Sequence, residues 1–251
     1  MSKAPTLRLD RLLANLCYGS RREMQALAKN GRITLDGAPV RDADQKMAIT
    51  PDLPKHLRID GKPIDPPPGI ALMLHKPLGV TCSHKEAGPL VYDLLPTRWR
   101  MRDPAISTIG RLDKETSGLL LLTDDGGLLH RVISPKSHVA KRYRVTLDRP
   151  LSGDEAEAFA AGGLMLEGET KPLLPAVMET LSPTEALLTL TEGRYHQVRR
   201  MFAAMGNHVA ALHRESMGGL TLPDDLEAGE YRLMTEADLT AIFEADRPLM
   251  S

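Results

Sequence analysis

Gly110-Arg111-Leu112-Asp113-Lys114-Glu115-Thr116-Ser117-Gly118-Leu119-Leu120-Leu121-Leu122-Thr123 sets a polar loop directly before an apolar run. The run is far shorter than the roughly 20 residues that a bilayer-spanning helix needs. Bounded by Gly118 and by Asp124-Asp125-Gly126, it reads as a central strand, Ser117 to Thr123, buried on both faces. A polar loop feeding a buried strand can present a side chain into a cleft. Asp113 has two readings at this point. It either bonds local backbone N–H groups, as many loop aspartates do, or it acts on a substrate.

Toward the C-terminus, Asp124-Asp125-Gly126 reads as a turn that caps a helix over Gly127 to Ile133. Tyr143 to Leu147 and Ala186 to Thr191 read as strands. In Lys141-Arg142-Tyr143-Arg144-Val145, strand alternation puts Tyr143 and Val145 on one face and the arginines on the other. Tyr143 is equally at home in a core or as a stacking surface for a base. Glu192-Gly193-Arg194-Tyr195-His196-Gln197-Val198-Arg199-Arg200-Met201-Phe202 opens a helix that stops at Gly206. Val198, Met201, Phe202 and Met205 form its apolar face. Arg199 lies about 100° round from Val198, where it can face solvent or turn inward to a carboxylate.

Toward the N-terminus, Ile70 to Leu74 reads as the first strand of a second domain. Gly61-Lys62-Pro63-Ile64-Asp65-Pro66-Pro67-Pro68-Gly69 reads as a stiff, extended linker. The head before it shows Leu9, Leu12, Leu13 and Leu16 at helical spacing. Ser20 is the candidate cap of a second helix through Met24, Leu27 and Ala28, which ends at Asn30-Gly31. Arg32 to Leu35, the Asp36-Gly37 turn and Val40 then read as a hairpin.

Composition fits a globular chain: 251 residues, 42% hydrophobic, 26% charged and a formal net charge of -1. That near-neutral average hides segregation. Residues 1–62 carry a net +5, and residues 194–214 hold four arginines, three histidines and no acid. Residues 224–246 hold eight acids and a single base, Arg232. Basic clusters of this kind suit phosphate binding, though a solvated mixed surface has the same composition. Cys17 and Cys82 cannot form a disulfide framework or a cysteine-based zinc site, and a reducing cytoplasm is the expected setting. The N-terminus shows no apolar signal-peptide core, and no membrane association is expected. His196, His208 and His213 match no metal-ligand spacing. The chain has no P-loop, no strand-linked GxGxxG and no HExxH, so no metal and no nucleotide cofactor are expected.

These segments together resemble a known family. Residues 7–60 resemble an S4 RNA-binding domain. The remainder resembles the pseudouridine synthases of ribosomal RNA, in the RsuA family. The resemblance rests on Gly110-Arg111-Leu112-Asp113 with Thr116-Ser117-Gly118-Leu119, on Gly193 to Met201, and on Leu212-His213-Arg214 with Met217-Gly218-Gly219-Leu220. Three motifs in order, over nearly the whole chain, are far more specific than any one of them.

The resemblance implies an α+β protein. A small S4-like domain (1–60) and the Pro-rich linker (61–69) precede a catalytic domain (70–251). That domain is expected to have a mixed, mainly antiparallel sheet flanked by helices. The implied reaction breaks the C1′–N1 bond of uridine, turns the uracil and rejoins it through C5, with no cofactor. Asp113 becomes the catalytic aspartate, Arg199 its ion-pair partner and Tyr143 the stacking residue. Arg111 would fill the gap left by the flipped uridine, and Leu212 would wall the pocket. Arg194 and His196 would contact substrate. Arg8, Arg11, Arg21, Arg22, Lys29 and Arg32 would hold RNA phosphates. The implied partner is 16S rRNA or a small-subunit assembly intermediate, with uridine 516 in the usual bacterial numbering as target. A cytoplasmic monomer is expected. The alternatives are a synthase acting on 23S rRNA and a non-catalytic S4-type assembly factor.

Overall fold

The computed structural model describes residues 4–245. Met1, Ser2 and Lys3 of the N-terminal segment read for a signal peptide, and Asp246 of the acidic tail, lie outside the described residues. The described chain divides into two compact units. The first runs to Ala71 and includes Leu95–Ser107 and Thr123–Asp125, and the second holds the other described residues.

The first unit begins with β1 (Thr6–Arg8), α1 (Leu9–Asn15), α2 (Arg21–Lys29), β2 (Ile33–Leu35), β3 (Ala38–Pro39) and β4 (Lys46–Ala48). It continues with α3 (Leu53–His56), β5 (Leu57–Ile59) and β6 (Lys62–Pro63). The leucine spacing works as read: Leu9, Leu12, Leu13 and Leu16 are all buried, against Met24, Ala28, Ile33 and Leu57. Ser20 caps α2 in a capping box with Glu23, so two orphan amide donors are satisfied reciprocally. Both Asp36-Gly37 and Asp60-Gly61 have consecutive positive φ, the pattern of a two-residue type I′ hairpin turn. The second of these turns corrects the linker. Residues 62–63, expected in an extended spacer, form β6 against β5, and Ile64 is buried in the core of this unit.

The remaining elements are β7 (Ala71–Lys76), α4 (Thr97–Met101), β8 (Ser107–Ile109), β9 (Ser117–Thr123), α5 (Gly126–Ile133), β10 (Lys141–Leu147) and α6 (Glu155–Ala161). After them come β11 (Val177–Ser182), β12 (Glu185–Leu190), α7 (Gln197–Ala204), β13 (Val209–Met217), β14 (Leu220–Thr221), β15 (Tyr231–Leu233) and α8 (Glu236–Ala241). The main sheet runs β11-β12-β10-β13-β9-β7-β15, with β14 on β13 and β8 on β9. The β9–β13 pair is parallel, while β10 is antiparallel to both β12 and β13. This is the expected α+β protein with a mixed, mainly antiparallel sheet.

Leu119, Leu120, Leu121 and Leu122 of β9 are fully buried, as their run predicts. Gly118 is required where β9 meets β13: its φ is +108, and a Cβ there would stand 2.3 Å from the Arg214 carbonyl oxygen. Asp124, in the turn before α5, accepts from the backbone N–H groups of Gly69 and Ile70. In the second unit, Val198, Met201 and Phe202 of α7 pack with Val145, Leu188 and Phe159. The Phe159 and Phe202 rings meet edge to face at 5.3 Å.

Candidate active site

A cavity of about 740 Å3 opens over β10 and β13, lined by Arg111, Asp113, Tyr143, Arg194, His196 and Leu212 among others. Strand alternation selects these side chains. Lys141 and Tyr143 line this cavity, while Arg142 and Arg144 line a second recess. A bulge at Glu215 shifts the register, since Tyr143 faces Arg214 while Arg142 faces Ser216. Leu212, Arg214 and Met217 therefore share the cavity with Asp113, while His213 and Ser216 line the recess.

The Asp113 loop is held from several directions. Lys76, completely buried at the end of β7, donates to the carbonyls of Thr116 (2.8 Å) and Pro77 (3.0 Å). Arg199 donates to the carbonyls of Glu115 (2.7 Å) and Val209 (2.8 Å), tying the loop to the start of β13. This changes the expected pairing: the guanidinium of Arg199 goes to backbone carbonyls and makes no ion pair with Asp113. The basic partner of the Asp113 carboxylate is His196, with Nε2 3.5 Å from Oδ1. Asp113 and His196 are comparably exposed, at 37% and 38% of their side chains.

His196 adopts a left-handed conformation (φ +49) just before α7, and its ring lies flat on Tyr195, centroids 3.9 Å apart. Tyr195 is itself 74% exposed. Glu169 fastens this segment by pairing with Arg194 (3.3 Å) and Arg200 (2.9 Å). Arg200 in turn donates to the Tyr195 carbonyl at 3.1 Å. Those two arginines hold the Glu169 carboxyl below its ordinary value. Arg194 also pairs with Glu192 and bonds the carbonyls of Lys171 and Pro172, so its guanidinium braces the wall. Arg111 stays 69% exposed at the edge, 4.0 Å from Glu86. Tyr143 is half-buried and packs on the α7 core.

Sequence reading missed Lys76, Lys141, Glu169 and Arg214. Arg214 and Lys141 carried a signal, as the last and the first residue of quoted segments. Lys76 and Glu169 act through contacts distant in the chain. Among the described residues there is no group of three or more His, Cys, Asp or Glu side chains that could hold a metal ion. Nor is any described helix long and apolar enough to cross a membrane.

In the first unit, the basic residues fall into two sets. Arg8 and Arg21 pair with the buried Asp10, and Arg8 also reaches Asp44. Arg32 pairs with Asp60 at 2.6 Å. Arg11, Arg22 and Lys29 are exposed, and their side chains form no ion pair among the described residues.

An aspartate and a half-buried tyrosine that line one cavity, together with a stacked aromatic pair, suit a flipped base. The family comparison agrees with that geometry. Residues 70–204 match the RNA pseudouridylate synthase family, and residues 7–47 match the S4 domain. The chain belongs to that family and is a pseudouridine synthase with an S4 domain.

Among its relatives is the ribosomal small subunit pseudouridine synthase A of Escherichia coli, strain K12. It is 43% identical over 241 residues, covering 94% of this chain and 100% of the relative. The protein of the same description from Vibrio cholerae is 42% identical over 238 residues, covering 95% of this chain and 100% of the relative. A crystal structure of a pseudouridylate synthase superposes with a TM-score of 0.66 at 35% identity, covering 94% of this chain and 99% of that one.

Proposed function

We propose that this protein converts uridine 516 of 16S rRNA, in the usual bacterial numbering, to pseudouridine. The carrying observation is the end-to-end similarity to synthases described as acting on the ribosomal small subunit. In this reading residues 1–60 hold rRNA and residues 70–251 carry the chemistry. The protein acts as a cytoplasmic monomer on 16S rRNA or a small-subunit assembly intermediate.

Asp113 is the catalytic carboxylate. It either adds to the electron-poor C1′ of the sugar or removes a C2′ proton, and both routes release the uracil. Tyr143 supplies the face on which the uracil turns. His196 contacts the nucleotide and steers the Asp113 carboxylate, while Leu212 closes the apolar side. Arg111 enters the space left by the flipped uridine. Arg199 acts as a positioning residue through the carbonyls of Glu115 and Val209. Bond C1′–N1 breaks, C5–C1′ forms, a proton leaves C5 and one arrives at N1, so no redox partner is required.

The test is to map pseudouridine in both rRNAs of cells lacking the protein. Loss of the 16S site, restored by wild type and not by Asp113→Asn, is the expected result. A loss confined to 23S rRNA overturns the substrate, and intact modification of both rRNAs overturns the reading.

A further inference from the structure

Two cations lie in the cavity with no role in the steps above. Lys141 and Arg214 come from neighbouring strands and line the same cavity as Asp113. Arg214 is 2% exposed and its Nε donates to the Leu119 carbonyl at 2.8 Å, but its Nη2 has no hydrogen-bond partner. Lys141 donates to the Val139 carbonyl at 3.0 Å, leaving two of its three donors unengaged. No carboxylate lies within ion-pair distance of either cation among the described residues. Glu192, the acid that faces Lys141, is already engaged by Arg194 and Gln197. Leaving a buried donor without an acceptor costs free energy. Such a site is complete when a substrate supplies the missing negative charge.

We propose that Lys141 and Arg214 form a cationic floor that holds the negative charge gathering on the uracil as the C1′–N1 bond breaks. The bonding pair stays with N1 and spreads to the uracil carbonyl oxygens, which the two cations meet. C5 then bonds to C1′ and loses its proton, and N1 gains one. The cations themselves neither gain nor lose a proton. This deepens the synthase reading and holds for whichever rRNA carries the uridine.

Charge at this floor has a pH limit. Burial, and next the neighbouring Arg214, bring the Lys141 ammonium down to about 8, with Glu192 acting weakly the other way. Below that pH the lysine is charged, and above it the floor loses half of its cations.

The experiment uses the full chain and the rRNA transcript that wild type modifies, in single turnover. Lys141→Gln is expected to slow the reaction about 100-fold with RNA affinity within about threefold. Lys141→Arg, which keeps the charge and controls for folding, should recover most of the rate. Wild type should lose rate above about pH 8, and Lys141→Arg should remove that alkaline fall.

A 5-fluorouridine target makes the uracil a better leaving group, while its C5 fluorine blocks the final proton loss; read as cleavage of the C1′–N1 bond, the Lys141→Gln defect on it should shrink below about tenfold. Equal defects on uridine and 5-fluorouridine, or a defect confined to RNA affinity, overturn the inference. A wild type active on 23S rather than 16S rRNA overturns only the substrate choice.

Discussion

In the head, Arg8 and Arg21 share Asp10 and Arg32 closes on Asp60, whereas in the cavity Lys141 and Arg214 reach no carboxylate among the described residues. The first arrangement stabilises a small unit. Asp10 is fully buried, yet its carboxyl sits at about 2. Burial alone would raise it, and the hydrogen bonds from Arg8 and Arg21 more than offset that. The second arrangement leaves positive charge waiting for a substrate. Paired cations build shape, and unpaired ones at a cavity or on an open surface are available for RNA. A count of arginines cannot separate the two.

The largest expected effect divides the regions outright. Asp113→Asn should lower product formation at least about 10⁴-fold, measured by pseudouridine mapping of treated 16S rRNA, while filter binding changes less than about twofold. Comparable loss of binding would mean that the cavity also holds the RNA in place.

Removing the acid from the other region should act on stability. Asp10→Ala removes the buried acceptor that Arg8 and Arg21 share and should cost about 1.5–3 kcal/mol. Replacing the exposed Asp44 by Ala should cost under about 1 kcal/mol. Urea denaturation of both variants gives the ratio, and equal costs would erase the distinction between buried and exposed pairing.

Acid titration probes the same carboxylate without mutation. A depressed folded value gives stability that is fully present above the unfolded value near 3.8 and lost as pH falls toward about 2. About 2 kcal/mol should disappear between pH 4 and pH 2, and Asp10→Asn should remove that component from the titration. An unchanged acid limb in the variant would assign the loss elsewhere.

The smallest effects concern the surface of the head. Single replacements of Arg11, Arg22 or Lys29 by alanine should each reduce the salt slope of rRNA binding by about 1. Arg32→Ala should change it much less, because its guanidinium is committed to Asp60. A larger slope change for Arg32 would show that its ion pair opens on RNA.

Much of the framework was legible because its signals are local. The leucine spacing of α1, the Ser20 cap of α2, the Asp36-Gly37 turn and the Leu119–Leu122 strand each depend on residues within about one or two turns of one another. The motif segments around Asp113, Tyr143, His196 and Leu212 also arrived together in one cavity. The stretch 62–64 was misread because a Pro-rich composition outweighed the Asp60-Gly61 turn, whose two positive φ values fold Lys62-Pro63 back on β5.

By itself, the sequence determined the element types, the family and the side chains available for chemistry, since all of these follow from periodicity, turn residues and ordered motifs. Tertiary structure decided who pairs with whom. Parallel pairing of β9 with β13, permitted by Gly118, sets Arg214 beside Leu119. The Glu215 bulge then keeps Arg214 and Met217 on the cavity face. Arg199 was read as the partner of Asp113, but the carbonyls of Glu115 and Val209 take its donors and His196 stands at the carboxylate. Hydrogen bonds and ion pairs fall off within a few ångströms, and distances between residues far apart in the chain are set only when the sheet closes its register.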